Sequence, residues 1–139
     1  MEMKNNKGFS LFELLVSISI IGILMAVAMV SYSSAQKKAR DSRRVQDINN
    51  IQKAAEQRYA SSTDYSYPQS TDKTAWQSAD GTQILEQFPK DPKNVDYYTN
   101  LNAASYCVCA QMEVVTAGNS AINCGFGTAT TYYCVKNQQ

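Results

Sequence analysis

A run of apolar residues from position 9 to position 30 is broken by one charged side chain, Glu13. Leu, Ile, Val, Met, Phe and Ala make up most of it, with Ser10, Ser17, Ser19 and Gly22 between them. A helix needs about 20 such residues to cross the hydrocarbon core of a bilayer, so this segment is long enough. A charge at bilayer depth costs at least ~2.5–3.5 kcal/mol and marks a functional position by default. Ahead of the run lies a short polar leader whose cations are Lys4 and Lys7. Positive charge stays on the cytoplasmic side, which orients the N-terminus inward and the remainder outward.

Other readings of the run leave Glu13 unexplained. A conventional secretory signal would be cut after a small residue, and Ser33-Ser34-Ala35 offers such a site. Its apolar region would be only about 7–15 residues long, however, and would not carry a carboxylate. A plain membrane anchor accounts for Glu13 no better.

The stretch Gly8-Phe9-Ser10-Leu11-Phe12-Glu13-Leu14-Leu15 resembles the G-F-[ST]-L-x-E-L motif of type IV pilins and of the pseudopilins of type II secretion and competence systems. The resemblance implies that a membrane prepilin peptidase cuts after Gly8 and that the new terminal residue, Phe9, is N-methylated. It maps the family's glutamate onto Glu13. Cleavage would create a cationic amine on Phe9, and Glu13 of one subunit would pair with that amine on the next, setting the register of stacked helices. One departure is visible: Val30 stands where many pilins carry a helix-bending Pro, and no Pro precedes Pro68. Gly22 falls where the family often has Gly, which softens a helix by about 1 kcal/mol relative to Ala.

The chain has 139 residues, enough for one domain beside the anchor. Its net charge of +1 gives no basic excess, so direct nucleic-acid binding is not expected. Histidine, the commonest general base and metal ligand, is absent.

Beyond the apolar run come Lys37, Lys38, Arg40, Arg43 and Arg44, read as a solvated face, an interfacial anchor, or partners for acidic groups of neighbouring subunits. Val45, Ile48, Ile51, Ala55 and Tyr59 recur every three or four residues, an amphipathic helical stripe. Arg44, Asp47, Asn49 and Glu56 are placed on its other faces. A helix from Phe9 to about Tyr59 would be on the order of 75 Å long. No small domain buries that length, so the outer half must pack on a C-terminal head and the inner half must meet lipid or other copies. The cluster Ala60-Ser61-Ser62-Thr63-Asp64 ends it.

In the head, residues 69–80 are polar and weakly patterned, and residues 82–88 suggest one or two helical turns. The Pro89-Lys90-Asp91-Pro92 punctuation is similar to a P-x-D-P stretch of major pseudopilins and related pilins. Strands are expected near 95–99, 105–114 and 130–135, with turns at Gly118-Asn119 and Gly125-Phe126-Gly127. Most of the tyrosines, which concentrate after the anchor, are expected to pack in core and loops.

Cys107, Cys109, Cys124 and Cys134 all lie in the last third of the chain. An even number of cysteines in an exported domain implies disulfides. Cys107 and Cys109 share one face of a strand and do not readily bond each other. Two connectivities remain, of which Cys107–Cys124 with Cys109–Cys134 is preferred. A tetrathiolate zinc site is the rival, but the paired C-x-x-C spacing of such sites is missing.

No catalytic constellation, phosphate loop or dinucleotide fingerprint is present, so no enzyme activity, cofactor or metal is expected. The calcium loop of some major pseudopilins, acidic and Gly-rich, has no counterpart around residues 119–127. The expected fold is α+β, a long N-terminal helix packed by its second half on a small antiparallel sheet. The expected segments are a cleaved leader (1–8), a transmembrane half-helix (9–31), an amphipathic half-helix (32–60) and a disulfide-bonded head (61–139). The resemblance implies a homo-oligomeric, type IV pilus-like filament. Its partners would be the prepilin peptidase, the membrane, and an assembly platform with its motor ATPase. Before assembly the chain would be a single-pass membrane protein, and afterwards part of an extracellular or periplasmic filament. A pseudopilin of secretion or DNA uptake, and a secreted protein with a conventional signal peptide, are the alternatives.

Overall fold

The computed structural model describes residues 8–69, 76–78, 80–127 and 129–139. The leader cations Lys4 and Lys7, and part of the polar stretch 69–80, lie outside the described residues. Two compact units divide the chain, Met1–Gln36 and Lys37–Gln139. One helix, α1 (Leu11–Ser61), supplies residues to both.

In the first unit every described residue is exposed, including Phe9, Leu11, Ile23 and Val30. This part of α1 has a mean hydropathy of 2.6 over its most apolar window and is long enough to cross a membrane. Two of its serines bond back along the helix: Ser17 donates to the Glu13 carbonyl at 2.7 Å, and Ser19 to the Leu15 carbonyl at 3.0 Å. Such bonds back to the preceding turn let a hydroxyl sit in an apolar setting. The helix continues through Gly22 and Val30.

The second unit is α+β. Its main sheet is antiparallel in the order β3-β4-β5, with β3 at Tyr98–Leu101, β4 at Tyr106–Gln111 and β5 at Tyr132–Lys136. A second, two-stranded sheet joins β1 (Trp76–Gln77) to β2 (Gln83–Leu85). Strand alternation sends Tyr106, Val108 and Ala110 of β4 into a core with Ile48, Ile51, Ala54 and Ala55 of α1. Tyr67, Trp76, Phe88, Tyr97 and Val135 complete that core.

Tyrosine hydroxyls of the sheet and of the loops beside it tie the head to the helix. Tyr106 and Tyr67 donate to the Glu56 carboxylate at 2.8 and 3.1 Å, Tyr97 to Asp47 at 2.8 Å, and Tyr133 to the Asn49 side-chain oxygen at 3.1 Å. A buried aromatic body with a satisfied polar tip combines apolar burial with a directional bond. Burial, reinforced by Glu56, pushes the Tyr67 hydroxyl up to about 12. Burial and Asp47 raise Tyr97, and burial and Glu56 raise Tyr106.

Three local expectations are corrected. Residues 82–88 form no helical turn: Gln83–Leu85 is strand β2, paired with Trp76–Gln77. A tight turn makes that pairing, with Gly81 at φ +83°, Gly81 N–H donating to the Ser78 carbonyl and Asp80 accepting from Thr82 N–H. The strand expected at 95–99 begins only at Tyr98, after a loop. The strand expected to run to 114 stops at Gln111, because the N–H groups of Glu113 and Val114 turn to the Asp41 carboxylate, at 3.0 and 2.8 Å.

Candidate functional site

The N-terminal site is built by a helix cap. Gly8 and Phe9 precede α1 and are exposed. Ser10 is the N-cap: its hydroxyl oxygen accepts the Phe12 N–H at 3.3 Å. Glu13 Oε2 reaches back to accept the Ser10 N–H at 3.0 Å. These two bonds form a capping box, which satisfies two of the N–H groups a helix start leaves without partners. A carboxylate in the first turn also meets the positive end of the helix dipole. The Ser-x-x-Glu spacing ahead of an apolar run is a sequence signal for this cap, separate from the assembly role expected of Glu13. Among the described residues, the cap contact uses Glu13 Oε2 alone.

A second site corrects the reading of the basic cluster. Arg44 does not lie on an outer face of the helix; it is buried, at 3% exposure. Its Nε and Nη2 donate to the two oxygens of Asp91, and its Nη1 donates to Asp41 at 2.7 Å and to Glu113 at 2.9 Å. Arg40 grips Glu113 through two bonds of 2.7 Å each, and Lys93 adds a contact of 3.0 Å. Asp91 also accepts the Lys93 N–H at 2.7 Å. Three cations, Arg40, Arg44 and Lys93, thus balance three carboxylates, Asp41, Asp91 and Glu113. The bidentate fork of arginine suits this geometry in a way lysine does not.

The electrostatics follow from the contacts. Bonds from Arg40, joined by Lys93 and Arg44, hold Glu113 well below the usual carboxylate range. Burial works to raise Asp91, but Arg44 and the Lys93 N–H outweigh it and keep it low. The Asp91 bond raises Arg44 further above its already high value. Glu113, Asp91 and Arg44 are therefore charged at neutral pH. They pin the loop at residues 91–93 and the turn at 112–114 to one face of the helix.

Cys109 and Cys134 stand opposite one another in the β4–β5 register, with Cα atoms 4.1 Å apart, and are bonded. Cys107 is bonded to Cys124, in the loop between β4 and β5, across a Cα distance of 6.0 Å. The inner bridge is buried, while both residues of the outer bridge are partly exposed. The sulfurs of Cys107, Cys109 and Cys124 lie within 4.8 Å of one another. A metal needs thiolates, and sulfurs held in these two bridges offer none.

Comparison with known proteins fits these features. Residues 3–29 match the family model described as the prokaryotic N-terminal methylation motif. The chain is 31% identical over 109 residues to the "Type IV wide pilus major component PilA4" of Thermus thermophilus, spanning 78% of this chain and 75% of that protein. Two proteins of Pseudomonas aeruginosa named "Fimbrial protein" are each 39% identical over 54 residues, covering 39% of this chain. Those alignments span only 35% of each Pseudomonas protein's length. No solved structure matches. The chain belongs to the type IV pilin family.

Proposed function

We propose that this chain is a structural subunit of a type IV pilus-like filament. In this reading a prepilin peptidase cuts after Gly8, Phe9 becomes the N-methylated terminus, and the segment from residue 9 to about 31 anchors the subunit in the membrane before assembly. An assembly platform with its motor ATPase then draws subunits into a filament whose core is made of apolar half-helices. The observation that carries this reading is the wholly exposed apolar part of α1, in a chain aligned with a pilus component over most of its length. An isolated subunit cannot keep that surface in water, so lipid or other copies must cover it.

The capping box refines the proposed role of Glu13. With Oε2 on its own Ser10 N–H, the carboxylate still has lone pairs for a neighbouring Phe9 amine, since an ionised carboxylate accepts about four hydrogen bonds. The pair would fix register between subunits; breaking a buried ion pair by removing one partner costs about 3–5 kcal/mol.

A pseudopilin of secretion or DNA uptake is the second reading, favoured by the Pro89-Lys90-Asp91-Pro92 stretch. Electron microscopy of cells producing the chain separates the two. Long surface fibres labelled by an antibody to the head support the pilus; short assemblies confined to the envelope support the pseudopilin.

A further inference from the structure

The two disulfides do not sit apart. Cys109 Sγ lies 3.7 Å from Cys107 Sγ and 4.0 Å from Cys124 Sγ. Reacting atoms in a productive ground state are about 3–3.5 Å apart, so the bridges are close to exchange distance. Access is unequal: Cys109 and Cys134 are each 1% exposed, whereas Cys107 and Cys124 are partly exposed. An external thiol therefore meets the outer bridge and not the inner one. Cys124 belongs to a loop and holds a left-handed backbone, φ +58°, a conformation disfavoured for a side chain of this kind. Opening its bond to Cys107 removes one tether on that loop.

We propose that the buried Cys109–Cys134 bridge is opened and closed through the outer Cys107–Cys124 bridge, by exchange between Cys124 and Cys109. The outer pair is then the docking point for a thiol–disulfide exchange partner, either a small thiol or an oxidoreductase with a reactive thiolate. The proposal stands whether or not the chain forms a pilus.

The chemistry is thiol–disulfide exchange. An external thiolate attacks Cys107 Sγ, forms a mixed disulfide there and expels the Cys124 thiolate. The Cys124 thiolate attacks Cys109 Sγ; the Cys109–Cys124 bond forms, the Cys109–Cys134 bond breaks, and Cys134 leaves as a thiolate. A second external thiol resolves the mixed disulfide at Cys107. Two external thiols become one disulfide, and one protein disulfide becomes two thiols, at Cys107 and Cys134. In the oxidising direction a disulfide-bearing oxidoreductase runs the same steps backward and seals a bridge it cannot reach directly.

The test uses the full chain in detergent micelles, partly reduced with dithiothreitol, quenched with an alkylating agent and mapped by mass spectrometry. The expected intermediate has a Cys109–Cys124 bond with alkyl groups on Cys107 and Cys134. Alkylation confined to Cys107 and Cys124 while Cys109–Cys134 persists, or loss of both bridges with no Cys109–Cys124 species at any time, overturns the proposal. A second arm uses Cys134→Ser, which keeps three cysteines and one bridge. Exchange predicts that its single thiol, once equilibrated, divides between Cys107 and Cys109. Label on Cys109 alone contradicts the proposal.

Discussion

Arg44 and Asp91 are 47 residues apart in the chain and face each other through two parallel hydrogen bonds, Nε to Oδ2 and Nη2 to Oδ1. The same guanidinium reaches Asp41 and Glu113. One helical side chain thereby sets the positions of two head segments. Replacing Arg44 with Met leaves three carboxylates crowded together, two of them buried. Removing one partner of a buried ion pair costs about 3–5 kcal/mol, and that loss is expected in urea unfolding of the full chain in detergent. Arg44→Lys should recover only part, because an ammonium cannot reproduce the fork. A Met variant as stable as the natural chain would show that the cluster contributes nothing net.

The cluster and the tyrosines predict opposite pH limits. Glu113 and Asp91 are held below their unfolded values of roughly 4. Their contribution is present above that value and fades as pH falls through the lower folded values. Tyr67 is raised from 10.0 to about 12, and Tyr97 and Tyr106 are raised as well. A neutral hydroxyl is favoured in the folded head, so their contribution is full below about 10 and declines as pH rises through the folded values. Thermal melts should thus show a stability plateau at neutral pH with losses at both ends. A melting temperature still rising beyond pH 10 would contradict the tyrosine assignment.

Gly118 is required for space. A Cβ there would fall on the backbone carbonyl oxygens of Thr130 and Tyr132, where Gly118 N–H already donates to Thr130 at 3.0 Å. Backbone cannot step aside as a flexible side chain can. Gly118→Ala should destabilise the head by about 1–3 kcal/mol, the usual cost of overpacking, read as a lower melting temperature. An unchanged melt would mean the loop can separate from β5.

Glu13 has two separable jobs, the cap and the proposed pairing. Glutamine still accepts the Ser10 N–H, since Gln serves in a capping box, but carries no charge. Glu13→Gln and Glu13→Ala are both expected to insert in the membrane and to give a much reduced filament yield. Normal filament yield from Glu13→Gln would assign the residue to the cap alone.

What could be read in the chain follows the range of the interactions involved. The helix was legible because its apolar run and its stripe at Ile48, Ile51 and Ala55 are local patterns. The β4 strand was legible from Cys107 and Cys109 on one face and Tyr106 and Val108 on the other. The burial of Arg44 is not legible, because a basic residue among Lys37, Lys38, Arg40 and Arg43 resembles a solvated charge run. Its partners Asp91 and Glu113 come from 47 and 69 residues away, and no local pattern announces them. Strand β2 was hidden for a similar reason. Ile84, Leu85 and Phe88 fit a helical face, and what makes the segment a strand is Trp76 across a turn. The capping box is different: Ser10 and Glu13 stand at the Ser-x-x-Glu spacing, a local pattern legible in the sequence.

Processing of this chain as a pilin is the proposed step on which filament assembly depends. It is tested most directly by intact mass and N-terminal fragmentation of the protein recovered from membranes of producing cells. The expected result is a terminus at Phe9 carrying an added N-methyl group, with residues 1–8 removed. A terminus at Gln36, the product of cleavage after Ala35, would contradict it.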